Sequence, residues 1–530
     1  MFSFLFLCLV AGVLSEHVAV IGSGLAGLTA AYRLAKHNQT VTLITADPVF
    51  GGRTRSKAVF GQQVSIGGTW ALFEDTQLLQ LAHEVGADPY LPVIVPKTLA
   101  LQRLALYPYL FLQCWLVGNQ MSANNDEYWT SPGADVLDNL SVEDWMTQQT
   151  TGFPSAWATN SKQALRDWFW LLENFNLNLS DSSTLGTCVL LYKRLRVISE
   201  AGLYTRGLYR WDGGTGTLID AIIDKLLFMN VSLSLNSPVT HIDYSTNVTI
   251  TMLDNSTVIA DRVVVATSLT SAASVSYNPP LPVNATKLMY AITESDNSAV
   301  QLFSAWSTKW FLLAGGNTIL PDPLGQPPCG VYGEVFDLSN PSSSTGILRM
   351  LIINTTNGYD CVPSAQRKAS TAAFYSGQYG SLFNLFINGL SIDVWDWRTA
   401  KPFIPAVTFW WPNNGSLVSW GNYMRLPIMN KLYWAGSERG VNGAHWMEGA
   451  VSSGNSAACT LLADMNITCT IPPFTQTVTS ELNILLQTIN QLICLVLVTA
   501  GFPCDPTWPF RTTSLNSFES QVLQQIIDLH

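Results

Sequence analysis

Residues 17–38 read HVAVIGSGLAGLTAAYRLAKHN. The run His17 to Ile21 is short, apolar and β-branched, so it predicts a buried strand. Gly22-Ser23-Gly24-Leu25-Ala26-Gly27 follows, and then a stretch with helical spacing of apolar residues. A second strand is predicted at Val41 to Ile44. This is a βαβ unit with the GxGxxG fingerprint at the strand-to-helix turn. Gly22 makes the tight turn, Gly24 lets backbone approach a pyrophosphate, and Gly27 lets the helix sit close on the sheet. The free amides and partial positive charge of the helix N-terminus then face the phosphates. The acid expected about 20 residues on, at the end of the second strand, is replaced by Thr45. A hydroxyl there bonds a ribose without the charge-assisted strength of a carboxylate.

Outward from this unit, Thr76–Val85 and Ser161–Phe175 show helical spacing, and GGTGTLIDAIIDKLL from Gly213 reads as a loop leading into a helix. Strand-like runs stand at Val231–Leu235, Val239–Ile242, Val248–Met252, Val263–Val265 and Leu432–Ala435. Residues 285–412 mix β-branched and aromatic runs with Gly, Pro and Asn, which predicts a mainly antiparallel sheet. No fixed-period repeat and no low-complexity linker divides the chain. The expected fold class is α/β: a Rossmann-like dinucleotide-binding domain from residues 17–85, 205–275 and 415–465. An interleaved α+β domain takes 86–204 and 276–414.

The chain has 530 residues, 48% hydrophobic and 11% aromatic with 18 Trp, so large cores form and disorder is excluded. Charged residues are only 12% and the net charge is −10, without a basic tract, which excludes a nucleic-acid partner. Residues 1–15, MFSFLFLCLVAGVLS, are apolar, end in small residues and are too short to span a bilayer, so they read as a signal peptide for export. Of nine Cys, eight remain after Cys8 is removed with that segment (9 − 1). An even number suits disulfides in an oxidising compartment, with the pairing left open. No CxxC or Cys/His cluster predicts a metal site. Asn-x-Ser/Thr acceptors stand at Asn38, Asn139, Asn178, Asn230, Asn247, Asn255, Asn284, Asn354, Asn414 and Asn466. The chain therefore reads as a secreted or lumenal glycoprotein. In the extension 466–530, Leu482 to Cys504 carries no charge. Its polar residues Asn483, Gln487, Asn490 and Gln491 share one helical face, which favours a packed or surface-lying helix, with peripheral membrane contact, over a span. Oligomeric state is not legible.

Four motifs in order carry a resemblance. They are the opening fingerprint, then Gly51-Gly52-Arg53-Thr54-Arg55, then Ile66-Gly67-Gly68-Thr69-Trp70. The last pairs Trp434-Ala435-Gly436-Ser437-Glu438 with Trp446-Met447-Glu448-Gly449-Ala450-Val451. Together they span almost the whole mature chain and resemble the flavin-containing amine oxidases, monoamine oxidase-like. The resemblance implies FAD as cofactor, with Gly52 and Arg53 at its diphosphate and Gly68, Thr69 and Trp70 at the isoalloxazine ring. It further implies Val239 at adenine through its backbone, and Gly436, Glu438 and Met447 at the ribityl chain and ring edge. The implied reaction oxidises a small-molecule amine with O2, releasing H2O2, and needs neither a side-chain nucleophile nor a metal.

Three positions depart from the monoamine oxidase pattern. Ala406 stands where that subfamily attaches flavin through a Cys, so FAD is expected without a covalent bond. Trp446 occupies one wall of the aromatic pair, but Val407 occupies the other. Gln301 stands where a lysine holds a water against the flavin, and the charge is lost. Trp397 matches the flavin-facing tryptophan. The plainer readings are core packing for Trp446, an ordinary strand residue at Gln301 and a structural His445. Two alternatives stay open: an L-amino-acid or polyamine oxidase on the same fold, and a secreted, redox-silent binding protein on an amine oxidase scaffold.

Overall fold

The computed structural model describes residues 15–72, 75–90, 96–98, 107, 109–122, 127–171, 179–201, 208–295, 300–313, 318–320, 331–353, 363–397, 408–440 and 444–472. The expected signal segment before Ser15, positions 406 and 407, and the expected C-terminal amphipathic stretch lie outside them.

Five parallel strands form the first sheet. They are β1 (His17–Ile21), β2 (Thr40–Ile44), β3 (Ser232–Ser234), β4 (Arg262–Val265) and β9 (Leu432–Trp434), in the order β9-β4-β1-β2-β3. Strands far apart in sequence thus lie side by side, with Ile21 opposite both Ile44 and Val265. Alternate residues feed two cores. Val18, Val20 and Leu43 pack under the helices, whereas Ala19, Ile21, Ile44 and Val263 join a second cluster on the opposite face. Both faces being buried explains the unbroken apolar runs. The helices of the first face are α1 (Leu25–Lys36), α2 (Thr76–Val85), α5 (Gly216–Phe228) and α7 (Met447–Asp464). Gly454 lets α7 press onto α1, since a Cβ there would stand 2.4 Å from the Ala26 carbonyl oxygen. An antiparallel meander over residues 239–260 covers the other face.

The second large sheet has six strands. In it β5 (Val300–Trp306) lies second from one edge, between the edge strand β8 (Ser391–Asp396) and β7 (Gly346–Ile353), with β6 (Val331–Asp337) beyond β7. One face of β5, with Val300, Leu302 and Trp306, packs on aromatic residues of α6 (Ser364–Tyr379). The other face, with Phe303 and Ala305, packs with Ile66 and Trp397, so this sheet closes over the Ile66–Trp70 loop. A helical layer contains α3 (Tyr109–Ser122) and α4 (Thr184–Ala201), joined by the buried disulfide Cys114–Cys188. A second disulfide, Cys459–Cys469, ties the end of α7 to the chain that follows. The expected helix at Ser161–Phe175 begins earlier, over Ser155–Leu171, directly after Pro154.

Candidate functional site: a glycine-built cofactor cradle

The first-turn amides of α1 open onto space. No side chain caps Gly24, and a Cβ on Gly24 would meet no heavy atom within 4 Å. Its two neighbours in the fingerprint differ sharply. A Cβ on Gly27 would lie 1.9 Å from the Gly22 carbonyl oxygen, and Gly22 itself has φ +106°. Gly22 and Gly27 therefore serve the turn and the helix–sheet contact, while Gly24 keeps the helix end clear for an anionic ligand.

Three further segments converge on this end. The Gly51-Gly52 turn lies against it: the Gly51 amide donates to the Ser23 carbonyl at 2.9 Å, and Gly52 sits over the Cα of Gly24. From that turn Arg53 donates to Glu438 Oε1 at 2.7 Å and to Ser437 Oγ at 3.1 Å. The Glu438 side chain is 2% exposed. Burial opposes its charge, yet the Arg53 guanidinium and a backbone amide outweigh burial and hold its pKa below the usual carboxylate range. Gly436, at φ +153°, passes so close to Glu438 that a side chain would collide with Oε2.

At the next step the Ile66–Trp70 loop meets Met447. A Cβ on Gly68 would stand 2.9 Å from the Met447 sulfur, and the Gly68 amide donates to the Arg53 carbonyl at 3.1 Å. Trp397 is buried beneath the loop and donates from Nε1 to the Ile66 carbonyl at 2.6 Å. Trp446 is the half-buried residue that precedes α7. Thr45 lies at the end of β2 beside the turn to Val239; its carbonyl accepts from Ser237 and its hydroxyl from the Asp47 amide. Gly22, Gly24, Thr45 and Val239 thus follow the carboxyl edge of the parallel sheet, where ligands of such sheets bind.

Gln301 is 3% exposed, on the face of β5 that turns toward the Ile66–Trp70 loop. Its Oε1 accepts no hydrogen bond from a described residue. Its cross-strand neighbour Trp395 likewise has a buried Nε1 without a partner among the described residues. Buried polar atoms of this kind are paired when a site is filled. His445 offers no replacement charge. Burial pushes its pKa down to about 4, with Arg53 adding to the effect, so the ring is neutral at physiological pH.

Sequence reasoning passed over three features. Arg349, buried in β7, donates from Nη1 to Thr69 Oγ1 at 2.7 Å, and so ties the six-stranded sheet to the loop. A single charge inside the run GILRMLII was the available signal. Arg55 pairs with Asp47 and lies over the Trp397 ring at 5.5 Å, so Asp47 braces the loop. Glu448 accepts from the Leu78 amide at 2.8 Å and so caps α2; burial and the neighbouring Asp75 carboxyl raise its pKa. Among the described residues no cluster of three or more His, Cys, Asp or Glu could hold a metal, and no helix is long and apolar enough to cross a membrane.

An open helix end, backbone donors, a buried acid held ionised and a glycine-lined loop against Met447 fit a long dinucleotide with a planar ring. FAD is that group: the α1 amides and Arg53 would hold its diphosphate, and Glu438 and Gly68 would stand nearer the ring. Comparisons with known proteins agree. Residues 25–462 match the family described as flavin containing amine oxidoreductase. The flavin-containing amine oxidase A of Equus caballus is 23% identical over 476 residues, covering 84% of each chain. The human amine oxidase B is 23% identical over 477 residues, covering 84% of this chain and 86% of its own. Among solved structures, cyclohexylamine oxidase from Brevibacterium oxydans superposes with TM-score 0.71 at 18% identity, covering 86% of this chain and all of its own. Putrescine oxidase bound to putrescine gives 0.69 at 21%, covering 85% and 99%. The chain belongs to the flavin-containing amine oxidoreductases and is an FAD-dependent enzyme of that family.

Proposed function

We propose that this protein is an exported oxidase that converts an amine to an imine and passes the electrons to O2, releasing H2O2, with its FAD held non-covalently. Bound FAD supplies the hydride acceptor; the amine carbon loses a hydride, the nitrogen lone pair closes the C=N bond, and water later hydrolyses the imine. The chain's own part is placement. The β5–β7 sheet closes the loop side, Trp70 and Phe336 meet at 5.0 Å as apolar wall, and burial there favours the neutral amine. The observation that carries the reading is Gln301, buried, facing the flavin loop and with no partner for its Oε1 among the described residues.

Gln301 brings no charge, and neutral His445 does not replace it. A fixed positive charge stabilises the negative charge that develops as O2 is reduced. Anaerobic mixing with amines followed by mixing with O2 separates the two half-reactions. Reduction by a good amine is expected to survive, with slow reoxidation. Gln301→Lys is expected to speed reoxidation more than it changes reduction. Fast wild-type reoxidation that the substitution leaves unchanged contradicts the assignment.

A second reading has one specific support. Arg349, a buried cation at the junction of sheet and loop, suits an amine that also carries a carboxylate. Amino acids and their decarboxylated amines belong side by side in the same assay. Preference for the decarboxylated partner excludes the amino-acid reading.

Export is supported by the two disulfides and by the acceptor asparagines. Asn38, Asn139, Asn230, Asn247, Asn255, Asn414 and Asn466 are exposed, and Asn284 is half-buried. N-terminal sequencing of the product from a secretory host checks the cleavage after Ser15; intact Met1 on a cytosolic product contradicts it.

A further inference from the structure

Three helices of the parallel-sheet domain end in the same way. At the end of α1, the Asn38 amide donates to the Ala35 carbonyl at 3.0 Å and the Gln39 amide to Leu34 at 3.1 Å. At the end of α5, Asn230 donates to Leu227 and Val231 to Leu226, both at 3.0 Å. At the end of α7, Asn466 donates to Ala463 at 2.9 Å and Ile467 to Leu462 at 2.8 Å. The three asparagines have φ of 59°, 59° and 58°. Each is a helix stop in which one left-handed residue turns the chain and satisfies the last carbonyls. Glycine is the least strained residue there, and α2 uses it: Gly86, at φ +80°, makes the same pair of bonds. Asparagine in place of glycine at three of these four stops calls for a second reason.

Capping explains the asparagines but not what stands two residues later. Those residues are Thr40, Ser232 and Thr468, and all three are exposed. The Ser232 and Thr468 hydroxyls make no hydrogen bond with a described residue. The Thr40 hydroxyl touches only the exposed Ser15 hydroxyl at 3.2 Å, on the residue expected to leave with the signal segment. The fold uses none of these hydroxyls, whereas an Asn-x-Ser/Thr acceptor requires each of them. Asn236 and Asn430 supply the contrast: they are left-handed too, at 52° and 51°, yet Pro238 and Leu432 stand two residues on.

The topology gathers the three acceptors. Helices that cross between parallel strands run antiparallel to them, so α1, α5 and α7 all end at the amino edge of the sheet. FAD takes the carboxyl edge, where Gly24 opens. We infer that Asn38, Asn230 and Asn466 carry N-linked glycans, and that these clothe the edge of the domain opposite the cofactor. Glycans there add hydration to a chain of which only 12% of residues are charged, and leave the flavin side open. This inference rests on the export reading, and Asn466 lies within the ten-residue span closed by Cys459–Cys469.

The test uses the full chain secreted from a eukaryotic host. Enzymatic release of N-glycans in heavy-oxygen water converts each glycosylated asparagine to labelled aspartate, which peptide mapping reads site by site. Label is expected on all three. Thr40→Ala, Ser232→Ala and Thr468→Ala keep the capping asparagines and remove only the acceptors. Each is expected to cost one glycan's mass with flavin content and melting temperature unchanged. An exported, disulfide-bonded chain with label on none or only one of the three overturns this inference and leaves export standing. A chain retained in the cytosol overturns both.

Discussion

The two sides of the flavin site are built in opposite ways. The cradle side relies on backbone: helix-end amides, glycines at close approaches, and an ion pair from Arg53 to the buried Glu438. The sheet side relies on individual side chains, and there buried polar atoms such as Gln301 Oε1 and Trp395 Nε1 have no partner among the described residues. Backbone donors fix where the cofactor lies, whatever the substrate. On the proposed function, single side chains of the sheet face what reaches it.

The sharpest way to break this division lies within the fingerprint itself. Gly27→Ala drives a methyl into the Gly22 carbonyl, 1.9 Å from the ideal Cβ, and should destabilise the apoprotein by about 1–3 kcal/mol or more. Gly24→Ala meets no protein atom, so apoprotein melting should stay unchanged while flavin affinity falls by more than about tenfold, about 1.4 kcal/mol. Equal melting losses for the two would erase the distinction between folding and ligand glycines. A comparable effect on flavin affinity is expected at the ion pair. Glu438→Gln removes a charge-assisted bond to Arg53, worth about 1.5–3 kcal/mol, so FAD should bind about 10- to 100-fold more weakly. Unchanged flavin retention in that variant would remove Glu438 from the cradle.

The smallest expected effect is a pH slope at the far end of the same motif. Glu448 has a raised pKa, from burial first and Asp75 second, so the folded chain holds a proton that the unfolded chain releases. Its contribution to stability is complete below the unfolded value of about 4.3 and declines as pH rises through the raised folded value. Glu448→Gln keeps an acceptor for the Leu78 amide without the proton. Melting temperatures measured from acid to mildly alkaline pH should therefore fall less steeply for the variant than for wild type. Parallel curves would mean that Glu448 is ionised in the fold.

The cradle was readable from sequence because its glycines answer to sterics, and sterics leave a signature at fixed spacing. The strand before Gly22, the helix after it and the tight approach at Gly27 all follow from local chemistry. The sheet side was less readable. The position of Gln301 on the loop-facing side of β5 depends on register with Leu351 and Trp395, roughly 50 and 94 residues away, and no local pattern encodes it. Arg349 escaped for the same reason: its Thr69 partner is 280 residues distant. The neutral state of His445 follows mainly from enclosure, with Arg53 adding to it, and composition reveals neither.

The most direct measurement is the fate of the flavin on denaturation. A cradle made of backbone amides, glycines and the Arg53–Glu438 pair, with Ala406 at the position where the sequence resemblance leads one to expect a covalent attachment, predicts a yellow protein with one FAD per chain. Acid or heat precipitation should release all of that colour to the supernatant. Colour that stays on the pellet shows a covalent link, and a colourless protein that takes up no FAD contradicts the cradle itself.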